Sequence, residues 1–413
     1  MTAHSIVIGA TKPPARLLTS QLNFAILTVV IYAAALLPIL WHAGFDSSIF
    51  VVAGDSFVKE ADLPVPLHIY RNASGFDGEF YYRMALAPYH LSQTVFGITL
   101  DAPALRMQRI LYPTLVWILS FGQKPLVAPM MVLTNLLGLG LMATTVLRVV
   151  RRLHVPDWCA LGIVFWPGFL FSVTHDTTEI WSALFLLLAV EAYLAGRILV
   201  LFLTAVAATL TRETGLLAVG GLFCLALGEA VFLPPTATRW HRPLALVLAP
   251  LPFFAWQVVL HSAFGGEGMS SDVSANLGWP FYGIIDNVWA VLDGVRFYFH
   301  NAKMQMLARL FALFTMGLIA VWFGLVLRAL PRVREPLARV PAAAWAPLAL
   351  LMILLYAPWN YSINYLRALT ECFLFGTLLL GGIGIGRRGR HLLFAGQICV
   401  WIGTWGICYL SVR

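Results

Sequence analysis

Two acids stand two residues apart in a polar stretch of the chain, "GFDGEFYYRMA" at 75–85. The carboxylates of Asp77 and Glu79 can accept a proton from a sugar hydroxyl, or bind a divalent cation such as Mg²⁺ or Mn²⁺. Gly75 and Gly78 flank Asp77, and glycine lets a backbone bend and approach a ligand closely. The same stretch holds three further candidate site residues, Tyr81, Tyr82 and Arg83. The alternative is a solvated turn before a membrane-surface helix that begins near Glu79.

Arginines and acids recur in four other polar segments, at 101–113, 174–181, 210–217 and 358–371. Arginine at a membrane boundary can hold a phosphate group through bidentate hydrogen bonds. The predicted phosphate ligands are Arg106, Arg109, Arg212 and Arg367. The other active-site candidates in these segments are His175, Asp176, Glu179 and Glu213.

Each of these groups also has a structural interpretation. Charged side chains at the edge of the hydrocarbon are costly unless they are paired or bound to a ligand, and arginines there also contact lipid head groups. The ion pairs that the sequence suggests are Arg106 with Asp101, Arg212 with Glu213 or Asp176, and Arg367 with Glu371 one helical turn away. His175 is either a base or a hydrogen-bonded structural residue.

The composition places these segments in a membrane protein. Hydrophobic residues make up 60% of the chain, charged residues 11%, and the mean hydropathy is +0.81, whereas soluble domains have roughly 45–50% apolar and 25% charged residues. We predict an all-α, polytopic transmembrane helix bundle with about 11 spans, within roughly 10 to 13. The chain forms one integral membrane domain, 1–413, with polar outer loops at 43–108 and 261–303.

Apolar runs near the length of a bilayer crossing locate the predicted spans. These are 22–41, 126–147, 158–173, 177–195, 198–210, 215–233, 244–260, 304–327, 342–357, 365–385 and 392–410. The apolar run 110–121 is too short to cross, so we predict a re-entrant or interfacial helix there. A surface helix is expected at 281–300. The five cysteines lack the spacing of a disulfide framework or a thiolate metal site.

The charges favour a topology with the N-terminus inside. Cytoplasmic segments then hold more than half of the 27 Lys and Arg residues, as the positive-inside rule requires. Four acids fall on that side, Asp157, Glu191, Glu229 and Glu335. The five charged segments described above meet at the outer face. The net charge of +8 arises from the excess of basic residues on the predicted cytoplasmic side. It therefore does not indicate a nucleic-acid partner.

The chain resembles the integral-membrane glycosyltransferases of the GT-C superfamily. Four features carry the resemblance: the acidic D-x-E-like motif (Asp77 to Glu79) in a large outer loop after the first span, "RILYP" at 109–113, the outer turn His175–Asp176, and "LTRET" at 210–214. The "GFDGEFYYRMA" and "RMQRILYP" pattern also resembles a group of bacterial membrane proteins that are distantly similar to mannosyltransferases of the PIG-V type.

The resemblance implies an inverting sugar transfer from a polyprenyl-phosphate-linked donor to a lipid, glycan or protein acceptor. It implies a bacterial inner-membrane protein with its active site on the periplasmic side. In that scheme Asp77 is the general base and Glu79 supports it or binds a cation. Arg212, together with Arg109 or Arg367, neutralises the departing lipid phosphate.

The main alternative is a multi-span transporter or flippase of a lipid-linked sugar or an anionic lipid. Such a protein is expected to place ionisable residues near mid-membrane. The candidates for that role are Glu191 and Glu229, and both lie nearer the inner side.

Overall fold

The computed structural model describes residues 20–234, 238–265, 276–293, 302–333, 336–360, 363–382 and 386–410. Within these residues, seven helices are long and apolar enough to cross a membrane: Gln21–His42, Lys124–Arg152, Thr214–Phe232, His241–Phe264, Ala302–Ala329, Pro336–Leu354 and Arg388–Leu410. The shorter apolar helices are Trp158–Thr174, Ile198–Thr211 and Thr370–Gly381. The protein is therefore an all-α integral membrane bundle.

The helices up to the middle of the chain include both long spans and short surface elements. They are α1 (Gln21–His42), α2 (Asp77–Leu86), α3 (Pro103–Met107), α4 (Leu111–Leu119), α5 (Val127–Arg152), α6 (Trp158–Val164), α7 (Pro167–Thr174), α8 (Glu179–Ala195) and α9 (Ile198–Thr211). The nine residues of α4 rise about 14 Å, roughly half of the hydrocarbon thickness. This is the segment for which the sequence predicts a helix that does not cross.

The helices of the second part of the described chain follow. They are α10 (Thr214–Phe232), α11 (His241–Leu248), α12 (Leu251–Phe264), α13 (Tyr282–Asp293), α14 (Ala302–Ala329), α15 (Pro336–Leu354), α16 (Ala357–Asn360), α17 (Tyr365–Ala368), α18 (Thr370–Gly381) and α19 (Arg387–Leu410). Helix α13 occupies the first part of the surface helix predicted at 281–300. The last residues of that prediction, 294–300, lie outside the described residues. Residues 266–275 and 301 of the predicted loop 261–303 also lie outside them.

The loop after α1 is folded, with short elements throughout. Strand β1 (Ala53–Gly54) pairs in parallel with β2 (Ile69–Tyr70), and β3 (Thr94–Val95) pairs antiparallel with β4 (Ile98–Thr99). Short 3₁₀ turns lie at Ser47–Val51 and Glu60–Asp62 in this loop, and at Lys124–Leu126 and Leu330–Arg332 elsewhere. Helices α2 and α3 complete the loop and bring it onto the ends of the membrane helices.

The span predicted at 158–173 is two helices, α6 and α7, with a break at Phe165 and Trp166. Pro167 causes the break, because proline lacks an N–H and its ring clashes with the preceding turn. Other side chains take up the freed carbonyls: the Gln397 amide donates to Gly162 O (2.6 Å) and Phe165 O (3.0 Å). The Tyr32 hydroxyl donates to Val164 O (2.8 Å). Partners of this kind make a broken helix tolerable inside a membrane protein.

Helix α8 lies between several other helices of the bundle. It packs against α5 on one side and against α9 on another, and α18 also contacts it. Helix α10 packs against α15, which in turn packs against α18. The beginnings of α8, α10 and α18, together with the loop helix α2, therefore come to the same end of the bundle.

Candidate functional site: an arginine–carboxylate cluster

Asp77 is the first residue of α2, where a negative charge is favoured by the helix dipole. Gly78 sets the position of this helix. A Cβ at Gly78 would lie 2.4 Å from the carbonyl oxygen of His175 and 2.6 Å from that of Val51, so any side chain would push α2 away. Gly78 thus lets the loop helix approach the backbone between α7 and α8, and close approach of a ligand to Gly75 and Gly78 stays a prediction.

Three arginines surround the Asp77 carboxylate. Its Oδ1 accepts from Arg106 Nη1 at 2.7 Å, and its Oδ2 accepts from Arg367 Nη2 at 2.6 Å. Arg109 Nη1 lies 3.8 Å from Oδ2. Burial alone would raise the pKa of the Asp77 carboxyl, but the three guanidinium charges outweigh it and hold this pKa far below its usual range. Asp77 is therefore ionised at neutral pH.

Arg106 and Arg109 each hold a second acid. Arg106 makes a bidentate pair with Asp101, with Nε to Oδ1 at 2.8 Å and Nη2 to Oδ2 at 2.7 Å. The Asp101 pairing that the sequence suggests is thus present in addition to the Asp77 contact. Arg109 makes a bidentate pair with Glu213 and donates to the Tyr81 hydroxyl at 2.9 Å. These contacts tie the loop to the junction between α9 and α10.

The deeper half of the site lies at the start of α8 and α18. Arg212 Nη1 donates to both carboxylate oxygens of Glu371, at 3.1 and 2.9 Å. Ser182 and Thr214 donate to the same carboxylate. Glu179 Oε1 lies 3.7 Å from Arg212 Nη2. The Arg212, Glu179 and Glu371 side chains are all buried, with at most 8% exposed.

Two ion pairs suggested by the sequence are wrong. Arg367 does not pair with Glu371 one turn on, because α17 ends at Ala368 and α18 begins at Thr370, which breaks the continuous helix that this pairing needs. Arg367 contacts Asp77 and lies 3.5 Å from Glu179. Arg212 pairs with Glu371 rather than with the acids suggested for it, because it ends α9 in extended backbone and turns towards α18.

Glu79 does not join Asp77. Residues two apart on a helix do not share a face, and Glu79 is fully buried beneath the loop, where its Oε2 accepts from Gly54 N at 2.9 Å. Burial raises the pKa of Glu79 to about 8. Its predicted role beside Asp77, as a support or a cation ligand, is therefore corrected: Glu79 is a neutral group at neutral pH that fixes strand β1.

The described residues do not fit a divalent cation at this site. No group of three or more His, Cys, Asp or Glu residues lies close enough to hold a metal in the part of the chain that the structure describes. Both oxygens of Asp77 are already held by guanidinium groups.

Tyr82 and Arg83, two of the candidates from the opening stretch, lie apart from the arginine–carboxylate pairs. Burial and the charge of Asp46 raise the pKa of Tyr82 to about 12. Arg83 donates to the carbonyl oxygens of His90 (3.2 Å) and Ser92. The Arg83 side chain therefore holds the loop together, and the Tyr82 side chain is buried in the core.

His175 and Asp176 lie under α2 in the turn between α7 and α8. The His175 ring stacks on Phe171 with centroids 4.0 Å apart, and its Nδ1 is 3.0 Å from Phe171 O. This arrangement matches the structural interpretation of His175. Asp176 is fully buried with a φ of 46°, and within the described residues its carboxyl oxygens have no hydrogen-bond partner. It is a buried acid next to the cluster rather than a partner of Arg212.

We define the arginine–carboxylate cluster as four arginines and five acids joined by these pairs. Its members are Asp77, Asp101, Arg106, Arg109, Glu179, Arg212, Glu213, Arg367 and Glu371. The sequence indicated Asp101 and Glu371 as ion-pair partners of Arg106 and Arg367, but not as site residues. The signal was present for Glu371, since an acid opening an apolar span needs a partner. The cluster thus unites all four predicted phosphate ligands with Asp77.

Within the cluster, three buried polar atoms lack a hydrogen bond among the described residues: Glu179 Oε1, Arg367 Nη1 and Arg212 Nε. The Oε1 atom faces its two arginines at 3.5 and 3.7 Å, beyond good hydrogen-bond distance. Guanidinium groups form strong hydrogen bonds to phosphate oxygens as well as to carboxylates. The Arg367 Nη1 and Arg212 Nε atoms are therefore donors, next to the Glu179 carboxylate, that a bound anion can use.

The fold and the cluster define an integral membrane protein made of helices, with a network of buried ion pairs at one end of the bundle. No protein-family model, curated protein or solved structure matches the chain.

Proposed function

We propose that the protein is an inverting glycosyltransferase of the GT-C type. It takes a sugar from a polyprenyl-phosphate donor and transfers it to a lipid, glycan or protein acceptor on the periplasmic face of a bacterial inner membrane. The observation that carries this proposal is Asp77: an ionised, largely buried carboxylate held by Arg106 and Arg367. A base and several phosphate-binding groups are thereby brought to one place.

In the proposed reaction the acceptor hydroxyl oxygen attacks the anomeric carbon of the donor sugar. The bond from that carbon to the phosphate oxygen breaks, and its electrons leave with the lipid phosphate. The hydroxyl proton passes to the Asp77 carboxylate. Arg367, Arg106 and Arg212 stabilise the negative charge of the departing phosphate. Attack from the side opposite the leaving group inverts the configuration of the sugar.

The same arginines adjust the strength of the base. Without ligand, their charges keep the pKa of Asp77 far below its usual range, and so weak a base is poorly suited to take a proton. When a donor phosphate binds Arg106 and Arg367, its negative charge offsets theirs. The pKa of Asp77 then rises, so that the base becomes effective when the donor is in place.

A transfer assay with the purified full chain tests this proposal. The protein in detergent is given polyprenyl-phosphate-linked sugars and membrane lipid or glycan acceptors, and products are identified by mass spectrometry. We expect Asp77→Asn to lower transfer by about 10²- to 10⁴-fold, because an amide cannot take the proton. The matched control is Asp101→Asn, which removes a neighbouring acid from Arg106. Wild-type turnover by Asp77→Asn would eliminate Asp77 as the base.

The transporter or flippase alternative predicts movement of an intact lipid-linked sugar across the bilayer. The acids that could serve it are paired: Glu191 with Arg148, and Glu229 with Tyr193 and Arg242. Reconstitution in vesicles with a labelled donor distinguishes the two. Transbilayer movement without cleavage of the sugar–phosphate bond would replace the transferase proposal.

A further inference from the structure

A second group of arginines surrounds a cavity at the far end of α8. Glu179 of the cluster and Glu191 of this cavity are both on α8, twelve residues or about 18 Å of helix apart. The open cavity has a volume of about 460 Å³. Its polar lining residues are Gln21, Arg148, Arg151, Arg152, Glu191 and Arg197. We call it the basic cavity.

The charge of the basic cavity is not balanced by its own lining. One carboxylate, Glu191, stands among four arginines. That carboxylate is held by Arg148, with Nε to Oε1 at 2.7 Å and Nη2 to Oε2 at 2.9 Å. The lining as a whole therefore carries a surplus of positive charge, which favours an anion inside the cavity.

The N-terminus of α9 lies beside this cavity. Helix α9 begins at Ile198 next to Arg197 and has no side-chain hydrogen bond at its N-terminus. The first N–H groups of a helix have no partner within the helix and carry partial positive charge. Val200 of this first turn lines the cavity. Guanidinium groups and helix amides together form a typical environment for a phosphate group.

The surface beside the cavity is apolar. Leu199 and Leu203 of α9 are 68% and 54% exposed, and Leu22 of α1 is 65% exposed. In a membrane protein such exposed faces contact lipid chains. A ligand that places a phosphate group in the basic cavity and acyl chains along these leucines complements both the positive charge and the apolar surface.

We infer that the basic cavity binds the phosphate group of an anionic membrane lipid at the end of the bundle opposite the arginine–carboxylate cluster. Basic pockets between transmembrane helices bind acidic head groups in this way. The inference is independent of sugar transfer. The same phosphate chemistry could also be offered by a soluble phosphate compound, so the experiment separates the two sources.

Native mass spectrometry of the full chain in detergent tests the inference. The protein is mixed with phosphatidylglycerol, with phosphatidylcholine, or with inorganic phosphate in excess over phosphatidylglycerol. The test variant is Arg152→Gln/Arg197→Gln, since both side chains are exposed and line the cavity. The matched control is Arg239→Gln/Arg328→Gln, which makes the same charge change at exposed arginines outside the cavity.

We expect the wild type and the control to retain phosphatidylglycerol in preference to phosphatidylcholine. Retention by the test variant should fall by about 10-fold. In the wild type, retention of phosphatidylglycerol should also weaken as ionic strength rises, a result that needs no variant. Equal retention of the two lipids, or equal retention by wild type and test variant, would overturn the inference. Displacement of phosphatidylglycerol by inorganic phosphate would reject a lipid as the ligand and assign the site to a soluble phosphate compound.

Discussion

The two ends of α8 hold arginines in opposite ways. At one end, the four arginines of the arginine–carboxylate cluster are matched by five acids, and the Arg212 side chain is only 8% exposed. At the other, four arginines of the basic cavity line an open space with one acid, and the Arg148 side chain is 36% exposed. Water and salt screen the second group, whereas the first must be neutralised within the protein.

This difference shows what a ligand must do at each end. In the basic cavity an anion can enter beside the exposed side chains of Arg152 and Arg197, where the lining carries surplus positive charge. In the cluster an incoming phosphate must compete with carboxylates that already hold the arginines. In the proposed transferase, phosphate binding at the cluster is coupled to a rearrangement of ion pairs, and that coupling changes the basicity of Asp77.

The two ends of α8 should differ most in how much the loss of one arginine lowers the free energy of unfolding. Arg212→Met leaves Glu371 buried without its main partner, so we expect a loss of about 3–5 kcal/mol. The double variant Arg212→Met/Glu371→Met should recover much of it, because both charges are then gone. Melting temperatures of the purified proteins measure both effects. The matched control is Arg148→Met at the other end, with an expected cost of about 1 kcal/mol. A single variant as stable as the wild type would show that Arg212 is not a buried charge that needs its partner.

A smaller effect on stability comes from Glu79, a buried carboxyl that forms no ion pair among the residues that the structure describes. The usual pKa of a glutamate carboxyl is 4.5, and burial raises the pKa of Glu79 in the folded protein to about 8. The stability contributed by the neutral form is complete below pH 4.5 and is lost as the pH rises to 8. Glu79→Gln should therefore gain about 1 kcal/mol or more relative to the wild type between pH 5 and 8. Melting curves across that range measure the gain.

The control for this effect is Glu60→Gln, which removes a mostly exposed acid of the same loop. A difference between Glu79→Gln and the wild type that stays constant from pH 5 to 8 would contradict a raised pKa at Glu79.

The smallest effect on stability is expected from variants of the basic cavity. Arg152→Gln and Arg197→Gln remove exposed charges, so each should change the free energy of unfolding by no more than about 0.5 kcal/mol. Thermal melts at moderate salt measure this. A loss as large as that of Arg212→Met would remove the contrast between the two ends.

Much of the fold followed from composition and periodicity. The all-α membrane bundle is confirmed, since apolar runs long enough to cross a bilayer leave few alternatives to a helix. The folding of the first loop was less accessible, because the positions of α2 and β1 depend on tertiary contacts such as the one between Gly78 and His175 O. The break before Pro167 was readable in principle from the proline itself.

For the site, the predicted topology placed the charged segments at the same end of the bundle. Several side-chain pairs predicted from spacing within one segment were wrong. The i, i+4 rule assumed an unbroken helix from Arg367 to Glu371, and one residue between α17 and α18 removed that geometry. The D-x-E spacing suggested two acids acting together, and the helical conformation sent Glu79 to the other side of α2. Which buried charges meet is decided by packing across the bundle, which spacing within one segment does not encode.

The most direct test of the central claim compares binding with turnover in the same set of proteins. Affinity for a polyprenyl phosphate and the rate of sugar transfer are measured for wild type, Asp77→Asn and Arg367→Gln. If phosphate competes with Asp77 for the arginines, Asp77→Asn will bind the lipid phosphate at least as tightly as wild type and yet transfer almost no sugar, whereas Arg367→Gln will bind it more weakly. Loss of binding in Asp77→Asn, or transfer at the wild-type rate, would contradict the account.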